Sequence, residues 1–440
     1  MNTISFVRGP RSRVARIVSF CLACLVGDTQ AAGPSVLGLD QAVALALRHQ
    51  PQLERIAGRI HAAEASATAE AELPDPRLTL GLSSLPLDSL SFTRDDMTQA
   101  VVGVSQVIPG GRKRQLAGER MRVEAGRNEA ELAATRLRIA RDVAQAWLDL
   151  YYPEQALGLL ADIAREYGRE LDWADVALAT GGLNQADALA LRMQRIYVQD
   201  QMADLQREVV RARVALQRWT GTLAADVHAG GELPQAPEKD TEAGQPALDA
   251  HPELTILRRD MDLARSEAAL AREAYKSDWE VDVAYGLRGG GRTDMLSVQV
   301  AVDLPLFPKR RQDRRLAARL AAVDSAGHGL EDRRRALAAE LASAQAEWQA
   351  ANARIVHFRD QLLPLAQRRV ESALVTYRTG KSPYSGVLEA RRAELEARLQ
   401  LLRQQVARAR AAIDLRYYLG NTAEPGPGAD TIQLSSGSTP

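Results

Sequence analysis

The stretch "SVQVAVDLPLFPKRR", residues 297–311, decides how the rest of the chain is read. Val298, Val300 and Val302 alternate with Ser297, Gln299, Ala301 and Asp303, the period of a strand, and two prolines with a basic cluster then end it. A twin, "VVGVSQVIPGGRKR" at residues 101–114, follows the same grammar. After each comes a long alanine- and arginine-rich run with helical spacing. A chain written mainly as helix therefore breaks twice into short sheet.

Bulk composition points the same way. Of 440 residues only 5% are aromatic while 25% are charged, which suits long helices packed side by side better than one large globular core. The formal net charge is zero, so no broad electrostatic case for a nucleic-acid partner exists. Residues 1–32 have the layout of a secretory signal peptide: Arg8, Arg11, Arg13 and Arg16, an apolar run over 17–27, then Ala31, Ala32 and Gly33. The plain alternative is a disordered basic leader. Both cysteines, Cys21 and Cys24, fall inside it, so no disulfide is expected in the mature chain. "CLAC" partly resembles a lipoprotein cleavage site that would acylate Cys24, although a cysteine stands where leucine is usual. Beyond the leader no window approaches 18 continuous apolar residues, so entry into a membrane would have to be as a β-barrel.

The chain is written twice. "HQPQLERIAGRIHAAEA" from His49 matches "AHPELTILRRDMDLARSEA" from Ala250, and "SQVIPGGRKR" matches "AVDLPLFPKRR". Trp147 matches Trp348, "LATGGLNQADALALR" matches "YRTGKSPYSGVLEARR", and "VRARVALQRWTG" matches "ARARAAIDLRYYLG". The offsets run from 196 (Pro109 to Pro305) to 201 (Trp147 to Trp348), which marks a duplication. The first repeat takes residues 37–221 and the second 250–421. Residues 222–249, rich in Pro, Gly and acids, read as a linker or equatorial belt, and 422–440 as a disordered tail.

Each repeat reads helix, two strands, very long helix, tight turn, helix. In the second, the long helix is expected over about 309–378, with a seam at Leu337, Leu341, Ala344, Trp348, Ala351, Ile355, Phe358, Leu362 and Leu365, spaced alternately by four and three. The first repeat carries a looser seam at Ile139, Val143, Ala146, Leu150, Leu157 and Leu160. About seventy residues make a rod of roughly 100 Å, bent locally at Pro153 and Pro364. At the first hairpin tip, 180–184, Thr180 and Gly181 close one helix and Asn184 caps the next. At the second, 379–383, Thr379 and Gly380 close the helix, Ser382 is the expected cap and Pro383 the first helical residue.

The strands are expected at about 77–83, 99–108, 279–287 and 296–304. Leu78, Leu80 and Leu82 oppose Thr79, Gly81 and Ser83, and Val281, Val283, Tyr285 and Leu287 oppose Glu280, Asp282, Ala284 and Gly286. Apolar outside and polar inside is the code of an outer-membrane barrel wall, while a hairpin packed on the protein's own rods would read alike. Four strands cannot close a barrel, and open edges in lipid would strand backbone hydrogen bonds, so several copies would have to pool them. Two copies give eight strands and a filled interior. Three give twelve and room for water.

The order of these parts resembles the TolC family of outer-membrane efflux proteins over nearly the whole mature chain. The resemblance rests on "LGLDQAVALALRHQPQLERIAGRIHAAEA" from Leu37, the "SQVIPGGRKR" junction, the doubled "TG" tips and the closing "YYLGN" at 417–421. The short strands, few aromatics and "DLPLFPKRR" are most similar to the branch serving heavy-metal cation pumps of the RND type. The resemblance implies a mainly α fold with a small β part: a homotrimer whose twelve-stranded barrel in outer-membrane lipid continues as an α-helical periplasmic barrel. It also implies a periplasmic adaptor, an inner-membrane pump, and transport of solutes without catalysis or a cofactor. Family tips close the tube, which here implicates Thr180, Gly181 and Asp187 in the first tip and Thr379, Gly380 and Tyr384 in the second. An acidic ring is not simply repeated, since Asp187 has no acidic counterpart and the second tip offers only Glu389.

Other chemistry finds little support. The six histidines at 49, 61, 228, 251, 328 and 357 lack helical-spaced metal partners, and His49 and His251 before prolines read as polar caps. "RGGGRTD" at 288–294 lacks the Lys-Ser/Thr of a phosphate loop, and no nucleophile-elbow motif is present. Glu280, Asp282 and Asp303 are placed in the lumen, where they favour cations or simply stay wet. The proline-basic clusters are placed at the periplasmic rim against lipid head groups. The competing reading is a non-channel periplasmic coiled-coil scaffold or adaptor, which the scarcity of barrel aromatics favours: Phe92, Trp279, Tyr285 and Phe307 are the only candidates.

Overall fold

A computed structural model describes residues 35–48, 50–221, 227–237 and 244–420. The leader with Cys21 and Cys24, His49, and the residues after 420 lie outside the described residues.

A short strand β1 (Ser35–Leu37) leads into helices α1 (Leu39–Arg48) and α2 (Pro51–Ala71). Two strands follow, β2 (Arg77–Ser83) and β3 (Gln99–Ile108), then α3 (Lys113–Ala179) and α4 (Gln185–Thr220). After β4 (Val227–Ala229) and α5 (Gly244–Asp249) the pattern recurs as α6 (Pro252–Glu273), β5 (Trp279–Arg288) and β6 (Met295–Val302). It continues through α7 (Gln312–His357), a π-turn (Phe358–Leu362), α8 (Leu363–Arg378) and α9 (Ser385–Tyr418). Helix α3 has 67 residues and runs through Pro153, giving a rod of roughly 100 Å.

The second rod departs from the expected uninterrupted helix, beginning at Gln312 and widening at Phe358–Leu362, where the Leu363 N–H reaches back five residues to the Phe358 carbonyl. Pro364 is the cause. It has no N–H to donate and its ring crowds the carbonyl four residues back, so one wide turn absorbs the conflict. The extra residue also rotates everything below it, and the expected seam breaks there. Leu337, Leu341, Ala344, Ala351 and Ile355 are buried as predicted, whereas Leu362 and Leu365 are exposed.

Midway along the rods the main core gathers Ile139, Val143, Ala146, Trp147 and Leu150 of α3 with Ala42 and Ala46 of α1, Leu216 of α4, and Val406 and Ala409 of α9. The indole of fully buried Trp147 donates to the Leu37 carbonyl at 2.8 Å, and Ser35–Leu37 pairs in parallel with Val227–Ala229. Glu154 secures the same place, accepting from the Ala229 N–H at 2.8 Å and the Arg213 guanidinium at 3.1 Å. Part of the expected linker is therefore strand and helix bound to the rods.

In each repeat the residue before a helix-starting proline locks it to the end of the closing helix. Gln50 donates from Nε2 to the Trp219 carbonyl at 3.1 Å, and His251 Nε2 meets the Tyr417 carbonyl at 3.1 Å. The equivalent of His251 is thus Gln50 rather than its neighbour His49. His251 does act as a cap, its Nδ1 accepting from the Glu253 N–H at 3.3 Å.

The other four strands form one antiparallel sheet in the order β2-β3-β5-β6. Its register puts Leu80 opposite Val102, Val104 opposite Val283, and Val283 opposite Val298 on one face. On the other face Thr79, Gly103, Ala284 and Ser297 form a row of small residues. The apolar face is open, with Leu80 68% and Val298 65% exposed, whereas Ser105 on the other face is buried. Among the described residues nothing covers this apolar face, so the hairpins are not packed on the rods there. The loops beyond the sheet grip one another, Arg292 pairing with Asp96 at 2.6 Å and donating to the Thr93 carbonyl at 3.1 Å.

Candidate functional site

Two places carry the functional argument, the hairpin tips and the polar face of the sheet. At each tip a threonine and a glycine end the descending helix in the same way. The Thr180 and Thr379 hydroxyls donate to the Val176 and Val375 carbonyls, both at 3.1 Å. Gly181 (φ +77°) and Gly380 (φ +69°) take the left-handed conformation that reverses the chain. Asn184 caps α4, its side-chain oxygen accepting from the Asp187 N–H at 2.8 Å.

The second tip is capped differently from the local expectation. Helix α9 starts at Ser385, and neither Ser382 nor Pro383 supplies its cap or first residue. Its cap comes from the other hairpin: Asp187 accepts from the Tyr384 N–H through Oδ2 and from the Ser385 N–H through Oδ1, each at 3.1 Å. A carboxylate aimed at the free N–H groups of a helix start satisfies them more strongly than a serine hydroxyl, because charge and helix dipole add to the bond. Asn184 Nδ2 donates to the same Oδ2 at 2.8 Å, and Asp187 is only 4% exposed. Asp187 therefore ties the two hairpins of one chain together.

Around this tie sits a cluster that sequence reasoning missed. Tyr384 is buried and lies with Trp173 and Tyr377 in mutual ring contact, at centroid separations of 5.0 to 6.3 Å. Arg391 bridges to Glu170 at 2.7 Å and Glu166 at 3.2 Å across the hairpins. Burial pushes the Glu170 carboxyl above the usual carboxylate range, against the pull of Arg391. Burial likewise pushes the Tyr384 phenol up, reinforced by Glu170. One signal was present in the sequence: three of the chain's few aromatics fall within two turns of the tips.

On the sheet, Asp282 stands opposite Ser105 and Gln299, and Glu280 opposite Val107 and Ala301, both on the face of small and polar residues. Asp303 lies just past β6, its N–H donating to the Asp278 carbonyl at 3.1 Å. The structure brings Asp187 to the Tyr384 backbone, sets Thr180 with Gly181 and Thr379 with Gly380 at their own turns, and leaves the three acids far off on the sheet. Among the described residues no group of three or more His, Cys, Asp or Glu side chains is arranged to hold a metal ion, and no helix is long and apolar enough to cross a membrane.

The sequence profile of the outer membrane efflux protein family matches residues 42–222 and again 244–421. The chain belongs to the outer membrane efflux protein family. This agrees with the resemblance to the TolC family of outer-membrane efflux proteins read from the sequence. The chain is 24% identical over 376 residues to the cobalt-zinc-cadmium resistance protein CzcC of Cupriavidus metallidurans, covering 85% of this chain and 87% of that one. Among solved structures it superposes on CusC with a TM-score of 0.72 at 19% identity, covering 87% of this chain and 92% of that one. The outer membrane protein VceC of Vibrio cholerae gives 0.73 at 19% identity, with coverage of 87% and 96%.

Proposed function

We propose that three copies assemble into one conduit, twelve strands closing a barrel in the outer membrane and the paired rods forming a helical tube below it. A single observation carries this: among the described residues the four-stranded sheet has a bare apolar face and two unpaired edges, and it is set on rods far longer than any core needs. The division into repeats at 37–221 and 250–421 around a belt at 222–249 is part of this reading and is supported by the family match falling in two stretches. The conduit takes solute from an inner-membrane pump of the RND type through a periplasmic adaptor at the tips, without chemistry of its own. Heavy-metal cations are the favoured cargo, because the relative CzcC is named for cobalt, zinc and cadmium resistance. Glu280, Asp282 and Asp303 line the lumen, and the signal peptide and any acylation at Cys24 concern export to the membrane.

The closed end of the tube is assigned to the tips, with Thr180 and Gly181, and Thr379 and Gly380, as turning points and the contact of Asp187 with Tyr384 as the latch. Conductance across a planar bilayer tests the conduit. Purified protein should give stepwise ion currents, and cells lacking the gene should become sensitive to cobalt, zinc and cadmium. Absence of current would remove the channel, whereas sensitivity to hydrophobic drugs alone would remove the metal cargo and leave the channel.

A further inference from the structure

The two repeats treat their basic junctions differently. After β3, the turn at 109–113 is held against the start of β5: Asp278 accepts from the Gly110 N–H at 2.6 Å and from Lys113 Nζ at 2.7 Å. Lys113 also donates to the Lys276 carbonyl at 2.8 Å, and Glu273 accepts from the Arg112 N–H at 2.8 Å. In the first basic cluster the Lys113 side chain thus meets a protein carboxylate. After β6, no side chain of the matching turn at 304–311 makes a hydrogen bond or ion pair among the described residues. Leu304, Leu306 and Phe307 are 66 to 73% exposed, and the side chains of Lys309, Arg310 and Arg311 are exposed with no partner among the described residues. At the opposite edge of the sheet the side chains of Glu70, Glu72 and Asp75 are likewise exposed, with no partner among the described residues.

The repeat indicates where the missing partner belongs. β3 pairs with β5, and their equivalents in the other repeat are β6 and β2, the two free edges. Pro51 corresponds to Pro252, so Glu72 stands where Glu273 stands, Asp75 where Lys276 stands and Arg77 where Asp278 stands; the carboxylate that holds Lys113 is therefore not repeated, and Glu72 and Asp75 are the acids placed to face the basic turn. The basic triplets correspond, so Lys309 and Arg310 stand where Arg112 and Lys113 stand. We propose that the basic turn at 304–311 of one copy docks on the acidic turn at 72–76 of a second copy of this chain, Lys309, Arg310 and Arg311 facing Glu72 and Asp75. The proposal rests on the barrel reading and adds to it the contact that sets the closing register.

Transposing the β3–β5 register gives that register. Val302 falls opposite Leu80 of the second copy, and Asp303 opposite Thr79. With the strand-ending prolines aligned, Pro109 on Pro305, apolar meets apolar and polar meets polar; the basic triplets align one residue further on, so the second turn carries one extra residue after Pro305. The same register sets Asp303 diagonal to Arg77 of the second copy, within reach across an antiparallel pair. Three strand spacings, about 14 Å, separate the two junctions within one chain, so neither can satisfy the other in cis.

The test uses full-length protein in detergent, with Lys309→Glu/Arg310→Glu and Glu72→Lys/Asp75→Lys made separately and together. Each reversal alone should lower the surviving oligomer at moderate salt by about tenfold, and the combination should recover most of it. Loss on basic reversal without rescue by the combination would show that the cluster serves anionic head groups and would overturn the proposal, as would single reversals that leave the oligomer unchanged. A wild type that stays a single chain would sink the barrel reading as well. Should a reversal fail to fold, Asp75→Cys/Arg310→Cys with a short bismaleimide gives a second reading: covalent dimers and trimers are expected, and their absence refutes the contact.

Discussion

Replacing Asp187 with alanine is the sharpest perturbation of the tip. The change removes both carboxylate oxygens from a site 4% exposed and leaves the Tyr384 and Ser385 N–H groups without acceptors. Hydrogen bonds to a charged group contribute roughly 1.5 to 3 kcal/mol each. Two of them bracket roughly 3 to 6 kcal/mol, and because the Ser385 bond is only partly buried the lower end, roughly 3 kcal/mol, applies. If the tie is broken on opening, that corresponds to about a hundredfold shift toward the open tube. Single-channel recording should show it as a rise in open time, with Asp187→Asn intermediate because one side-chain oxygen remains. An alanine variant whose open probability matches wild type, in protein that retains its thermal transition, would refute the latch while leaving the conduit intact.

Three further outcomes follow from other parts of the molecule. Burial holds the His251 imidazole below its ordinary value of 6.5, so the stability it contributes is complete above about pH 6.5 and is lost as the pH falls further. His251→Gln, copying Gln50, should flatten that acid-side loss in a melting profile recorded below pH 6.5. Gly110→Ala would drive a Cβ into the Ser277 carbonyl and should cost about 1 to 3 kcal/mol, read as a lower melting temperature. If the sheet closes in a bilayer as proposed, Leu80→Arg on the apolar face should cost about 2 to 4 kcal/mol in bilayer-folded protein, and Thr79→Arg on the polar face should be tolerated but alter ion selectivity.

What could be read in the sequence was whatever depends on neighbours along the chain. The period-two code of β5 and β6 survived intact, because alternation fixes a face whatever lies across it. The helix ends at Gly181 and Gly380 were legible for the same reason. The cap of α9 was not: Ser382 is the nearest cap residue in sequence, but the acceptor used, Asp187, comes from the other hairpin and nothing local announces it. The seam failed at Leu362 and Leu365 because spacing counts residues whereas packing counts turns, and the wide turn before Pro364 puts the two out of step. The same limit hid Glu170 and Arg391, ordinary surface charges in sequence that become a cross-hairpin pair only in three dimensions.

The wide turn at Phe358–Leu362 has a consequence for the bore. In an assembly of three copies, six nearly equivalent rods descend from the sheet, but only three carry this extra residue. Symmetry then drops on the way down, from approximately sixfold near the membrane to threefold at the tips. The aperture there would have a three-cornered outline, with alternate staves of the tube rotated relative to their neighbours.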